Sequence, residues 1–305
     1  MSGSFDLLEC MPTGCPRTFA SERGTAGKVR VLVERLRTTL KSQGTERSLS
    51  EIKRLAACLV WCKKRAEEKR HLFRQAANQP KTDILFWIAS AKRNGDLDEL
   101  LWRCFLAGHF GRMSASPEKP EQVQSAGRFL CAFGTRPRWT WKAVSADMRG
   151  LRSWLLQNKK ALKTLRFGNH RKFESKEPEA LFRAVQSFAD WVRSSSGTPR
   201  KALYVVESGP PEDSFDSVYR RVGRGIWRMG RTGAFDLLCL LGDCRALPVR
   251  PGSCCLGGST GPLNGARKFW GKLPPSVLAR LADEAARQMR IAYDIFEDAL
   301  CTWQK

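Results

Sequence analysis

The sequence predicts a mainly α-helical protein, and two observations carry that expectation. Apolar residues recur at the helical period in stripe after stripe from Lys28 to the C-terminus. Only one run, Ala202-Leu-Tyr-Val-Val, reads as a strand, and one short strand makes no sheet. The expected arrangement is two helical lobes around a basic groove: a flexible arm over 1–27, an N-terminal lobe over 28–116 and a second lobe over 117–305.

Residues 1–27 are rich in Gly, Ser, Thr and Pro, the composition of an irregular arm. From Lys28, Val29, Leu32, Val33, Leu36 and Leu40 share one helical stripe. Ser48 and Ser50 can cap the next helix, whose stripe holds Ile52, Leu55, Leu59 and Cys62. Asp83 to Ala91 is an apolar block that suits a buried helix. Asp96-Leu-Asp-Glu opens another, with acids where the helix dipole favours them, and it runs to about Gly108-His109-Phe110-Gly111. Pro117 and Pro120 mark a linker. Leu181, Phe182, Val185, Phe188 and Trp191 give an amphipathic helix over 179–192, and Ser276 to Trp303 reads as one long helix.

The charge balance points to a polyanionic partner. Lys and Arg total 53 against 30 Asp and Glu, a formal charge of +23 in 305 residues; such a charge repels itself and needs a use. Between Arg136 and Lys172 lie eleven bases and one acid, Asp147. This run is either a solvated face or a nucleic-acid contact, the second being favoured by Trp139, Trp141, Trp154 and Phe167 among the charges. The eleven cysteines are scattered, and the N-terminus has no apolar signal segment, which suggests a reduced, cytoplasmic protein. No apolar run is long enough to span a bilayer, so no membrane partner is expected.

The chemistry concentrates between Asp213 and Lys268. Asp213 or Ser214 can cap a helix with Phe215, Val218, Val222, Ile226 and Met229 on its apolar face. Arg220, Arg224, Arg228 and Arg231 would then form a basic ridge without acid partners, suited to phosphate. Thr232 can cap a second helix, Ala234 to Leu241, inside which Asp236 stands among apolar residues. A carboxylate there is costly unless it is paired, with Arg231 for example, or has work that needs a sheltered charge. Ser259-Thr260-Gly261-Pro262 is a helix-start pattern whose free amides, with Asn264, Arg267 and Lys268 close by, would hold a phosphate.

Five blocks in order, WRCFLAGHFGR from Trp102, FGNHRKFE from Phe167, GRTGAFDLLCLLG from Gly230, STGPLNGAR from Ser259 and EDALCTWQK from Glu297, resemble one family. It is the alpha-glutamyl/putrescinyl thymine pyrophosphorylase-like group of the clade three type, related to helix-hairpin-helix DNA glycosylases. The resemblance runs from about Asp83 to the C-terminus. It implies a helical, glycosylase-like architecture whose 117–305 lobe carries catalysis and DNA binding. It also implies excision of a hypermodified base, such as glucosylated hydroxymethylcytosine, from double-stranded phage DNA in anti-phage defence. Asp236 is then the expected catalytic carboxylate. His170, Arg171, Lys172, Arg224, Arg228, Arg231, Asn264, Arg267 and Lys268 are the expected DNA or base contacts. A lysine nucleophile, Lys172 or Lys268, would instead cleave the strand as well.

Two features depart from glycosylases. The Leu-Pro-Gly-Val-Gly hairpin is matched only loosely by Gly261 to Gly265, and Cys239, Cys244, Cys254 and Cys255 have the wrong gaps for an iron–sulfur cluster. Adjacent Cys254 and Cys255 with no close histidine also argue against zinc, so no metal and no cofactor are expected. The competing reading is a non-catalytic nucleic-acid-binding protein of a phage or defence system. Oligomeric state is left open.

Overall fold

The computed structural model describes residues 10–11, 15, 17–75, 83–111, 125–168, 174–195, 197–203 and 209–304. Among them are sixteen helices and no strand, so the mainly α expectation holds. No helix is long and apolar enough to cross a membrane among these residues. The chain divides into two compact units, 1–69 with 251–305 and 70–250. The linker expected at Pro117 and Pro120 lies outside the described residues, and the second unit contains the helices on both sides of it.

The first unit holds α1 (Arg17–Ser21), α2 (Thr25–Ser42) and most of α3 (Leu49–Arg74), and later in the chain α14 (Gly261–Trp270), α15 (Pro275–Met289) and α16 (Tyr293–Trp303). The periodic residues of α2 and α3 are buried as expected. Ser48 and Glu51 cap α3 reciprocally: the Glu51 amide donates to Ser48 Oγ at 3.2 Å and the Ser48 amide to Glu51 Oε2 at 3.1 Å. Phe19 is only 2 % exposed and its ring lies 4.9 Å from that of Trp61, so the later part of the expected arm belongs to the core. The single C-terminal helix is in fact two. Arg290 takes a left-handed φ of 55° and ends α15, and Ala292 in extended geometry starts α16.

The second unit is built around a helix buried on every side. It contains α4 (Ile84–Arg93), α5 (Leu97–Phe110), α6 (Ser125–Leu130), α7 (Trp141–Ala146), α8 (Met148–Gln157), α9 (Lys159–Leu162) and α10 (Pro178–Ser195), then α11 (Pro199–Ala202), α12 (Pro211–Gly225) and α13 (Gly230–Asp243). Asp83 caps α4 and Asp96 caps α5 through their carboxylates, the second at the start that Asp96-Leu-Asp-Glu foretells. Every residue of α5 from Glu99 to Phe110 is buried, the mark of a helix enclosed by others. Trp102, Phe105 and Phe188 stack there, with 4.2 Å between the Phe105 and Phe188 rings.

An enclosed helix must satisfy its polar groups internally. Arg103 Nε donates to Glu99 Oε1 at 2.7 Å, its Nη1 donates to the Trp87 carbonyl, and the Trp141 amide donates to Glu99 Oε2 at 2.6 Å. The pair is thus compensated on both sides. The strand-like run begins differently from its expectation: Lys201 and Ala202 end α11, with Thr198 as cap and Pro199 at its first position, and 204–208 lie outside the described residues.

Candidate functional site

Three of the family-like blocks meet on α5. α13 crosses α5 closely enough that a Cβ on Gly108 would sit 3.4 Å from that of Leu237, the neighbour of Asp236. Two residues on, the Gly168 amide donates to the Phe110 carbonyl at 2.8 Å, and the Phe110 and Phe167 rings stack at 5.0 Å. A Cβ on Gly168 would come within 2.1 Å of the Gly111 carbonyl oxygen, so the close approach requires glycine. His109 is buried between them, its ring 6.0 Å from Phe105 and 5.8 Å edge-on to Phe167.

Asp236 stands on α13 at this crossing. Its neighbours Phe235 and Leu237 are buried, the residue itself is half-buried, and its Oδ2 is shut off from solvent. The carboxylate is therefore sheltered without being deep in the core. The Arg231 guanidinium lies 4.7 Å over the ring of Phe235, four residues along the same helix.

The helical hairpin that delivers Asp236 differs from its expected form. α12 begins at Pro211, with Glu212 and Asp213 in its first turn, because proline pre-sets the helical φ at that position. It stops at Gly225, where Ile226 is extended, and Arg228 then takes a φ of 56° and Gly230 one of 54°. α13 starts at Gly230 rather than Ala234, so Thr232 lies inside it and is not its cap. Ile226 and Met229 are buried, as their period foretells, but from the turn.

The basic ridge is consequently not one ridge. Arg220 and Arg224 are exposed on α12, Arg228 is in the turn and Arg231 is on α13. Arg220 Nε donates to its own helix at the Asp216 carbonyl, 3.2 Å away. Arg228 does have an acid partner: its Nη1 lies 3.5 Å from Glu174 Oε2, and its guanidinium lies 4.6 Å over Trp227. Glu174 is the residue that sequence reasoning missed. It was visible as the first acid after Asp147, closing the basic run inside FGNHRKFE, yet nothing in that run names Arg228 as its partner.

The remaining expected contacts fall elsewhere. His170, Arg171 and Lys172 lie outside the described residues. Asn264, Arg267 and Lys268 lie on α14 in the first unit, with Arg267 and Lys268 exposed. Arg267 Nη1 is 3.3 Å from Asn264 Oδ1, and Lys268 Nζ donates to the Gln304 carbonyl at 2.7 Å. Gly261 to Gly265, the loose hairpin match, are the first turn and a half of α14. Thr260 makes no side-chain cap there, and the Ser259 hydroxyl donates back to the Leu256 carbonyl at 2.8 Å.

The aromatics of the basic run also read differently. Trp139, Trp154 and Phe167 are core residues, and the Trp139 and Trp154 rings lie 5.4 Å apart. They have no face left for a base. The nine bases described in that run, from Arg136 to Arg166, are all exposed. Among the described residues no group of His, Cys, Asp and Glu is arranged to hold a metal ion.

A family model, alpha-glutamyl/putrescinyl thymine pyrophosphorylase clade 3, matches residues 52–305, so the resemblance read from about Asp83 extends back into α3. No curated protein and no solved structure matches the chain.

Proposed function

This chain belongs to the alpha-glutamyl/putrescinyl thymine pyrophosphorylase family, clade 3, and from that premise we propose that it is a DNA glycosylase acting on a hypermodified base. The family's name denotes an enzyme of modified thymine. The observation that carries the reading is the sheltered carboxylate of Asp236 at the α5–α13 crossing, where the blocks containing Gly108, Gly168 and Asp236 converge.

The target nucleotide is flipped out of double-stranded DNA, at a cost of a few kcal/mol that phosphate contacts offset. The bond from C1′ to the base nitrogen breaks, its electron pair leaves with the base, and the sugar becomes an oxocarbenium-like cation. The Asp236 carboxylate stabilises that cation and orients a water. The water oxygen bonds to C1′ and gives a proton to the carboxylate, the departed base anion takes up a proton from solvent, and the carboxylate returns its own to solvent, leaving an abasic site and a free base. Arg224, Arg228, Arg231, Asn264, Arg267 and Lys268 would contact DNA, and His170, Arg171 and Lys172 the flanking phosphates or the base. No Walker-type phosphate loop is present in the sequence, and base excision suits the +23 charge better than pyrophosphorolysis. Removal of modified bases from phage DNA would serve anti-phage defence.

The test is incubation of the protein with DNA carrying putrescinylthymine, glutamylthymine or glucosylated hydroxymethylcytosine, followed by detection of free base and alkali-labile sites. Product from one modified DNA and none from unmodified DNA is expected. Equal cutting of unmodified DNA removes the modified-base reading. Binding without product favours the alternative, a non-catalytic nucleic-acid-binding protein using the same exposed bases.

A further inference from the structure

The basic run leaves a feature that the excision chemistry does not use. Between α8 and α10, within the second unit, lies an open cleft of about 410 Å³ lined by Arg149, Arg152, Arg183, Phe182, Glu179 and Gln186 among others. Three guanidinium groups face one carboxylate. Glu179 engages only one of them: its Oε1 lies 3.0 Å from Arg152 Nη2, and the same guanidinium lies 5.5 Å over the Phe182 ring. Arg152 is thereby held in one orientation. Arg183 lies 4.8 Å over the Trp227 ring, which fixes it without neutralising it. Arg149 and Arg183 make no ion pair among the described residues, and both are exposed.

The charge does not end at the cleft. Lys159, Lys160, Lys163 and Arg166 continue it along the chain, all exposed, with Glu177 answering only Lys159 at 3.1 Å. Burial first and the Arg166 charge second hold the Lys176 amine below its ordinary value. A small anion would need only the cleft. Arginines at the cleft followed along the chain by further exposed bases suit a polymer of phosphates, and planar guanidinium groups hold phosphate oxygens two at a time.

We propose that the α8–α10 cleft is a phosphate-binding site for the DNA backbone, with Arg149 and Arg183 as its direct contacts and Arg152, oriented by Glu179 and Phe182, as the third. The site rests on the reading of the protein as DNA-acting and adds a binding surface that adjoins the α12–α13 turn through Trp227. It anchors the duplex irrespective of sequence or modification.

The experiment titrates the full chain with an unmodified fluorescent duplex of about twenty base pairs across a range of salt concentrations. Removing one arginine–phosphate interaction should flatten the dependence of log K on log salt by about 0.9, so R149Q/R183Q should flatten it by about 1.8 and weaken binding. R149K/R183K, which keeps the charges, should retain most of the slope. Thermal melting confirms the fold of each variant, and the exposed single change R149Q, expected to flatten the slope by about 0.9, serves if the double variant melts early. An unchanged slope in R149Q and in the double variant overturns the site, as does a defect confined to binding of polyglutamate, which would mark an acidic protein as the partner. Because the duplex is unmodified, the outcome is independent of excision. A wild type that binds with the expected slope but releases no base sinks the proposed function and leaves this site standing, and the reverse pattern sinks only the site.

Discussion

Arg228 Nη1 lies 3.5 Å from Glu174 Oε2, joining the turn that introduces α13 to the segment that ends the basic run. The Glu174 side chain is only 11 % exposed and that of Arg228 is 45 % exposed, so the pair sits between a surface ion pair and a buried one. Surface pairs contribute about 0.2–1 kcal/mol, whereas breaking a buried one costs about 3–5 kcal/mol. A double-mutant cycle with R228M and E174Q should give a coupling of about 1 kcal/mol in urea denaturation. Coupling indistinguishable from zero would make the contact incidental.

The buried pair on α5 should behave quite differently. R103M leaves the Glu99 charge enclosed with only the Trp141 amide, and a destabilisation of about 3–5 kcal/mol is expected. E99M/R103M removes both charges and should recover most of that stability. Denaturant midpoints at constant m-value measure both.

G168A tests the convergence at Phe110. The added methyl meets the backbone oxygen of Gly111, which has no side-chain freedom with which to yield. Overpacking of this kind costs about 1–3 kcal/mol. The variant should melt earlier and should lose base release beyond what its lower folded fraction explains. Retained release at a temperature where it is folded would detach this segment from the site.

Asp216 gives a pH signature. Burial pushes its carboxyl above the ordinary value of 3.8, with Arg220 opposing the shift and Asp213 adding to it. The folded chain therefore binds this proton more tightly than the unfolded chain, and stability is lost as pH rises from 3.8 through the raised value. D216N should be more stable than wild type at pH 7, with the advantage shrinking towards pH 3. Paired denaturation curves at the two pH values read the difference directly.

What the sequence made legible followed from local rules. Ser48 and Asp96 marked helix starts because a capping side chain acts within three residues. The stripe of Val29 to Leu40 marked a buried face for a similar reason. The breaks were harder to read. Arg228 and Arg290 end or turn helices in left-handed geometry, which no glycine announced at those positions. Trp139, Trp154 and Phe167 looked free to stack on bases because charge surrounds them in sequence, but all three turn inward, Trp154 from the buried face of α8 and Trp139 and Phe167 from the connections, while the neighbouring bases stay exposed. At the candidate site, Asp236 and its apolar neighbours were evident, whereas the Glu174 partner of Arg228 and the Gly108–Leu237 crossing depend on residues more than fifty positions apart.

The most direct test of the account is single-turnover release of free base from modified DNA by D236N beside wild type, with R231A as control for the salt-bridge role of Asp236. A positioned carboxylate that activates water contributes about 10²–10⁴-fold. D236N should lose release by that factor while melting and binding DNA like wild type, and R231A should not reproduce the loss. Base release by folded D236N at the wild-type rate would contradict the assignment of Asp236.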